Sequence, residues 1–126
     1  MTVRILDMAL AAALAASDKK ARDVLILDIA ELTPLADYFV ICTVNSGTQS
    51  EAVARAITDR MDELGIACKG IEGLQAARWV LLDFGDVVIH VFRPEEREFY
   101  HLERLWGDAH AIPFESPDPA GKAVDE

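Results

Sequence analysis

Residues 78–93 read RWVLLDFGDVVIHVFR, and this stretch decides the fold. Two apolar runs, 78–83 and 87–93, flank a short turn in which Gly85 can accept a positive φ, so the pattern predicts a β-hairpin. Each run carries apolar side chains on both of its alternating faces. Both faces of the sheet must therefore be largely covered by other parts of the protein.

The elements on either side of the hairpin follow from similar patterns. We predict an Ala-rich helix over residues 2–16, strands over 23–29 and 38–44, a helix that begins at the capping box Ser46-Gly47-Thr48-Gln49 and ends at Gly65, a possible edge strand within 66–73, and a last helix from Pro94 to Trp106 that stops at Gly107. The predicted class is α/β, with a mixed sheet of four to five strands flanked by helices in the order α-β-β-α-(β)-β-β-α. Three helices cover one sheet face well and the other in part, so a second copy or a partner is expected on the remainder.

The chain length of 126 residues fits one domain. We place that α/β domain at residues 1–109 and a flexible, acidic, proline-containing tail at residues 110–126. The tail holds turn formers and acids without apolar periodicity, and we expect the part after about Ile112 to be dispensable for stability.

The charge balance restricts the class of partner. Twelve Lys and Arg against twenty-two Asp and Glu give a net charge of −10, which repels phosphate backbones. Direct contact with DNA or an anionic membrane is not expected, direct RNA contact is expected to be small, and a basic protein partner is favoured. With no export signal, no spanning segment and two distant cysteines, Cys42 and Cys68, the expected location is the cytoplasm.

No catalytic or metal-binding set stands out. Asp83-Phe84-Gly85 spells a kinase metal-binding triplet, but the rest of the kinase motifs are missing and a hairpin turn explains it. His90, His101 and His110 are not at metal-ligand spacing, and no strand carries the paired carboxylates that nucleotidyl transfer needs. We therefore expect a protein that is not an enzyme, with no catalytic residue, no metal and no cofactor.

The last predicted helix carries two stripes of bulky side chains. Its outward stripe consists of Arg97, Tyr100 and Arg104, and its inward stripe of Phe99, Leu102 and Trp106. The outward stripe is either a solvated face with extended arginines or an interaction surface, since Tyr and Arg are typical anchors of protein interfaces.

Several segments combine into a specific pattern: Asp37-Tyr38-Phe39-Val40-Ile41, Ser46 with Gln49, Glu72-Gly73, the run from Trp79 to Phe92, and Arg97-x-Phe99-Tyr100-x-Leu102-Glu103-Arg104-Leu105-Trp106. In this order, across roughly residues 23–109, they resemble the ribosome-silencing factors, also called Iojap-like proteins. The chain departs from that family at Val44, where the family usually has Gly, and at Thr48, where it often has a basic residue. Both departures concern the loop before the second helix.

The resemblance implies a homodimer-forming α/β protein with a nucleotidyltransferase-like core that lacks the active site. It implies binding to ribosomal protein fourteen of the large ribosomal subunit, a block on association of the two subunits, and repression of translation. The alternatives are a nucleotidyltransferase-like nucleotide-binding protein, in which an anion would bind at the helix start near Ser46, and a large-subunit assembly factor.

The period of two along a strand predicts where docking occurs. Side chains at 79, 81 and 83 project from one strand face and offer an aromatic anchor, an aliphatic group and a carboxylate. A competing role for Trp79 is that of a core residue. The expected docking surface consists of Trp79, Leu81 and Asp83, with His90, Tyr100 and Arg104 close by.

Overall fold

The computed structural model describes residues 4–114, without the side chains of residues 103 and 105. In chain order the elements are α1 (Ile5–Asp18), β1 (Arg22–Asp28), β2 (Tyr38–Thr43), α2 (Gly47–Glu63), β3 (Gly70–Glu72), β4 (Trp79–Asp83), β5 (Val87–Phe92), α3 (Pro94–Tyr100), α4 (Leu102–Leu105) and β6 (His110–Ile112). The predicted α/β class is confirmed, and the described sheet has six strands rather than four to five.

The strands form one mixed sheet in the order β3-β4-β5-β2-β1-β6. The central pair β2 and β5 is parallel, and the other neighbouring pairs are antiparallel. A parallel pair needs a long crossover, and here α2 lies within the connection that leads from β2 to β5. The 78–93 hairpin is present as β4 and β5, so the prediction from that stretch is confirmed.

Helices α1 and α2 cover one face of this sheet. The strand residues beneath them, among them Val40, Val80 and Ile89, have no exposed surface. The small side chains of α1 allow close approach, since Ala9 and Ala12 are fully buried in the same core. Burial of side chains this size typically contributes about 0.8 kcal/mol per CH₂ group, so this layer supplies much of the stability.

The capping box at the start of α2 is confirmed. The Ser46 hydroxyl accepts the backbone N–H of Gln49 at 3.1 Å, and Oε1 of Gln49 accepts the backbone N–H of Asn45 at 2.7 Å. The Gln49 amide also donates to the Lys19 carbonyl at 3.0 Å, so the cap ties α2 to the turn after α1. Gly65, with φ of 79°, follows the end of the helix as expected.

The prediction of one continuous helix from Pro94 to Trp106 is wrong. His101 adopts a left-handed conformation (φ 49°, ψ 53°) that ends α3, and α4 starts in a new direction. The break brings Leu102 and Trp106 onto the sheet, where they join a second core. Phe99, which we expected to point inward with them, is 79% exposed.

The predicted start of the tail at residue 110 is also wrong, because residues 110–112 form β6. This strand pairs antiparallel with β1, with Ile112 opposite Ile26, and Phe114 packs against the core beneath α1 and α2. Without β6 the backbone groups along that edge of β1 would be unpaired, and pairing them stabilises the segment. Residues 115–126, the remainder of the predicted tail, lie outside the described residues.

The second face of the sheet is covered unevenly. Its core consists of Leu27, Ile29, Ala36, Phe39, Ile41, Phe92 and Leu102. Over β1 and β2 these residues are buried, whereas the side chains of β4 on the same face stay partly exposed. The expectation of an incompletely covered sheet face therefore applies to the β4 side.

Candidate docking surface

The partly exposed side chains of β4 lie where the predicted docking surface was placed. Trp79, Leu81 and Asp83 share one sheet face, while the alternating residues Val80 and Leu82 point to the opposite face and are fully buried. Tyr100 of α3 lies over the first of them, with its ring centroid 4.6 Å from that of Trp79. We call Trp79, Leu81, Asp83 and Tyr100 the open face.

His90 lies beneath the side chains of the open face. The register of β4 and β5 places His90 directly opposite Leu81, on the same side of the sheet. Its side chain is nevertheless buried, with 4% of its surface exposed, and Nδ1 accepts the indole N–H of Trp79 at 3.1 Å. His90 is therefore close by, as expected, but it does not present its ring to the surface.

The environment of His90 keeps its ring neutral. Burial lowers the pKa of His90 to about 4, because the neighbouring rings of Phe39 and Phe92 replace the water that would solvate a cation. Since Nδ1 accepts a hydrogen bond, the proton of the neutral ring is on Nε2. That nitrogen is buried and has no hydrogen-bond partner within the described part of the chain.

An aromatic surface continues from β4 onto α3. Tyr100 is 44% exposed, and the ring of Phe99 meets it edge-on at a centroid distance of 5.0 Å. Phe99 was not predicted at the surface, because an unbroken helix from Pro94 to Trp106 would point its side chain inward. No local pattern indicated that Phe99 is exposed, because the end of α3 at His101 depends on tertiary packing.

The two arginines of the predicted outward stripe do not lie together. The guanidinium of Arg97 reaches β1 and β2. It donates to the Asp23 carbonyl oxygen at 2.6 Å and to the Thr43 hydroxyl at 2.9 Å. Arg104 is exposed on α4, beyond the break at His101. The stripe is therefore divided, and its middle residue, Tyr100, packs against Trp79 of β4 and Phe92 of β5.

Carboxylates flank the aliphatic centre of the open face. Glu72 of β3 is opposite Leu81 and exposed, and Asp83 follows two residues along β4. Asp83 also stabilises the hairpin turn, because its Oδ1 accepts the backbone N–H of Gly85 at 2.8 Å. An apolar centre with acidic neighbours is complementary to an apolar patch that carries Lys or Arg.

The described residues give less support for a metal site, an anion site or a membrane span. Among the side chains that the structure describes within residues 4–114, no three of His, Cys, Asp or Glu converge as they would around a metal ion. The Ser46 hydroxyl at the start of α2 is engaged by Gln49. In the same range no helix is long and apolar enough to cross a bilayer.

Comparison with known proteins adds an independent line of evidence. The family model described as "Ribosomal silencing factor during starvation" matches residues 2–126. A Bacillus subtilis protein named "Ribosomal silencing factor RsfS" is 55% identical over 98 residues, which cover 78% of this chain and 83% of the relative. The crystal structure of a Chromobacterium violaceum protein matches with a TM-score of 0.82 at 34% identity, over 93% of this chain and 98% of that one.

A more distant relative comes from an animal. The mouse protein named "Mitochondrial assembly of ribosomal large subunit protein 1" is 34% identical over 93 residues. The match covers 70% of this chain but 40% of the mouse protein, which is therefore the longer of the two.

Proposed function

Because this chain belongs to the ribosomal silencing factor family, we propose that it represses translation by binding the large ribosomal subunit and keeping the small subunit away. The proposed contact is ribosomal protein fourteen of the large subunit, as the family resemblance implies. The mode of action is steric exclusion, in which a bound protein occupies surface that the small subunit needs.

The open face is the observation that carries this proposal. Trp79 and Leu81 are partly exposed on a sheet face, and a residue set of this kind is typical of an interface centre. Glu72 and Asp83 beside them favour a partner that carries Lys or Arg. Tyr100 and the exposed Phe99 extend the apolar area towards α3.

The overall charge supports a protein contact rather than an RNA contact. A net charge of −10 opposes approach to phosphate groups, which dominate the ribosome surface. The same charge accelerates encounter with a basic ribosomal protein and limits binding to the patch where that protein is exposed. The acidic surface thus contributes to the choice of site as well as to affinity.

Sedimentation of purified subunits tests the proposal directly. In sucrose gradients the chain should migrate with the large subunit and lower the yield of joined ribosomes as its concentration rises. Migration with the small subunit alone would contradict it. An unchanged peak of joined ribosomes at saturating protein would contradict the exclusion mechanism.

We also propose that the chain forms a homodimer when it is not bound to the ribosome. A two-fold arrangement would place the exposed apolar part of the sheet of one copy against the same part of the other and remove both from water. Light scattering at tens of micromolar protein should give twice the chain mass of 13.8 kDa. A mass of one chain at that concentration would contradict the dimer.

A second candidate is a role in assembly of the large subunit, which the name of the mouse relative favours. An assembly factor would bind the large subunit or its precursors without reducing subunit joining. The gradient experiment separates the two functions, because binding with normal joining favours assembly and binding with reduced joining favours silencing.

A nucleotide-binding function is the alternative from another class. It would use the start of α2, where backbone N–H groups can hold an anion. That site is less favourable here, because Ser46 already binds the Gln49 N–H and Gln49 binds the Asn45 N–H. A thermal-shift titration with ATP and magnesium tests it, and clear stabilisation at sub-millimolar nucleotide would support it.

A further inference from the structure

We propose that His90 is a positioning residue, which fixes the indole of Trp79 for docking without touching the partner. This inference rests on the proposed function, because it assigns a role within the open face. It also changes the role expected for His90, which the sequence placed in the contact set itself.

The hydrogen bond is the contact that orients the indole. Trp79 packs against the rings of Phe92 and Tyr100, at centroid distances of 4.9 Å and 4.6 Å. Ring contacts of this kind permit several offset or tilted arrangements. The 3.1 Å bond from Trp79 Nε1 to His90 Nδ1 instead requires one edge of the indole to face inward.

The inward orientation matters when a partner excludes water. An indole N–H is a donor only, and a buried donor without an acceptor is unfavourable. Because His90 accepts from inside the protein, the N–H stays satisfied both before and after docking. The part of the indole that faces outward is then apolar, which suits a desolvated contact at an interface centre.

Stability alone does not account for a histidine at this position. The ring is enclosed by Phe39, Trp79 and Phe92, and its Nε2 is buried without a partner among the described residues. An apolar side chain of similar volume would avoid that unsatisfied donor. Residues that violate such a local rule are expected at functional sites, and the function available here is the bond to Trp79.

Two substitutions at His90 separate orientation from packing. His90→Leu removes the acceptor and should weaken binding to the large subunit by about tenfold or more. His90→Asn keeps an acceptor near the position of Nδ1 and should bind within about threefold of the original protein. In a Trp79→Phe background there is no indole N–H, so His90→Leu should cause little further loss. An equal loss in both backgrounds, or full binding by His90→Leu, would overturn the inference.

A readout on the isolated protein keeps this result separate from the proposed function. The indole N–H of Trp79 gives its own proton–nitrogen NMR signal, which Trp106→Phe distinguishes from the second tryptophan. We expect its exchange with solvent to be slow, faster in His90→Leu and slow again in His90→Asn. An unchanged signal in His90→Leu would overturn the inference. If the signal responds but the original chain does not bind large subunits, the bond stands and both the docking role and the proposed function fail.

Discussion

Gly73 approaches the backbone of Trp79 so closely that a Cβ atom added at residue 73 would overlap the Trp79 carbonyl oxygen. Gly73 also has a φ of 82°, which residues with a Cβ atom rarely adopt. The turn after β3 can therefore lie against the start of β4 only with glycine at this position. Since Trp79 begins β4, this contact places the principal aromatic residue of the open face.

Replacing that glycine tests how strongly the turn depends on it. Gly73→Ala should lower the free energy of unfolding by about 2 kcal/mol, because both the positive φ and the overlap with a backbone atom must be relieved. Gly70→Ala is the matched control, since a Cβ atom there would meet nothing within 4 Å. Urea unfolding of both variants measures the difference, and equal stabilities would contradict the role given to Gly73.

A charge reversal in the open face should affect binding more than folding. Asp83→Lys should keep the melting temperature within a few degrees and weaken large-subunit binding at least about tenfold, because like charges would then face each other. Asp86→Lys changes the net charge equally from an exposed position at the same turn, and it should bind nearly normally. Asp83→Asn retains an oxygen for the Gly85 N–H and should give an intermediate loss.

If Asp83→Lys stays folded and binds as well as Asp86→Lys, the docking surface is elsewhere on the protein. Co-sedimentation with large subunits provides the comparison, with circular dichroism to verify folding.

The buried histidine should make stability depend on pH. The pKa of His90 is about 4 in the folded protein and near 6.5 in the unfolded chain, so the unfolded chain binds the additional proton between these values. The contribution of the neutral His90 ring to the free energy of unfolding is therefore complete above pH 6.5. It declines as the pH falls towards 4, by up to about 1.4 kcal/mol per pH unit. Urea unfolding at several pH values, compared with His90→Asn, isolates this contribution from the carboxylates. Parallel pH profiles for the two proteins would show that His90 does not titrate in this way.

The capping bond of α2 should have a measurable effect on stability. Ser46→Ala removes the acceptor for the Gln49 N–H and should lower the free energy of unfolding by about 1 kcal/mol. Thr48→Ala changes an exposed side chain in the same turn and should have little effect. Thermal unfolding of the pair is sufficient, and an equal loss in both variants would contradict a specific role for the Ser46–Gln49 bond, because alanine has the higher helix propensity at either position.

Two truncations test the corrected end of the domain. A chain of residues 1–114 retains β6 and Phe114 and should melt like the full chain. A chain of residues 1–109 loses the Ile112–Ile26 pairing and the packing of Phe114, and its free energy of unfolding should fall by roughly 2 kcal/mol. Should the two truncated chains melt together, β6 contributes little to stability.

The hairpin, the capping box and the shared face of Trp79, Leu81 and Asp83 could be predicted because each follows from a local rule. A period of two fixes which side chains share a strand face, and a Ser followed three residues later by Gln marks a helix start. The apolar composition of both faces of the hairpin strands also indicated correctly that two layers must cover the sheet.

What local rules could not decide depends on contacts between distant residues. The break at His101 exists because Leu102 and Trp106 reach a core built by β1, β2 and β5, and β6 forms because β1 offers an open edge. His90 was expected close to the docking surface because it lies on the neighbouring strand of the hairpin, but its register and its burial depend on tertiary contacts. Sequence by itself determined the hairpin, the start of α2 and the alternation of side chains along the strands, whereas tertiary packing determined that Trp79 and Tyr100 form the surface and that His90 supports them from beneath.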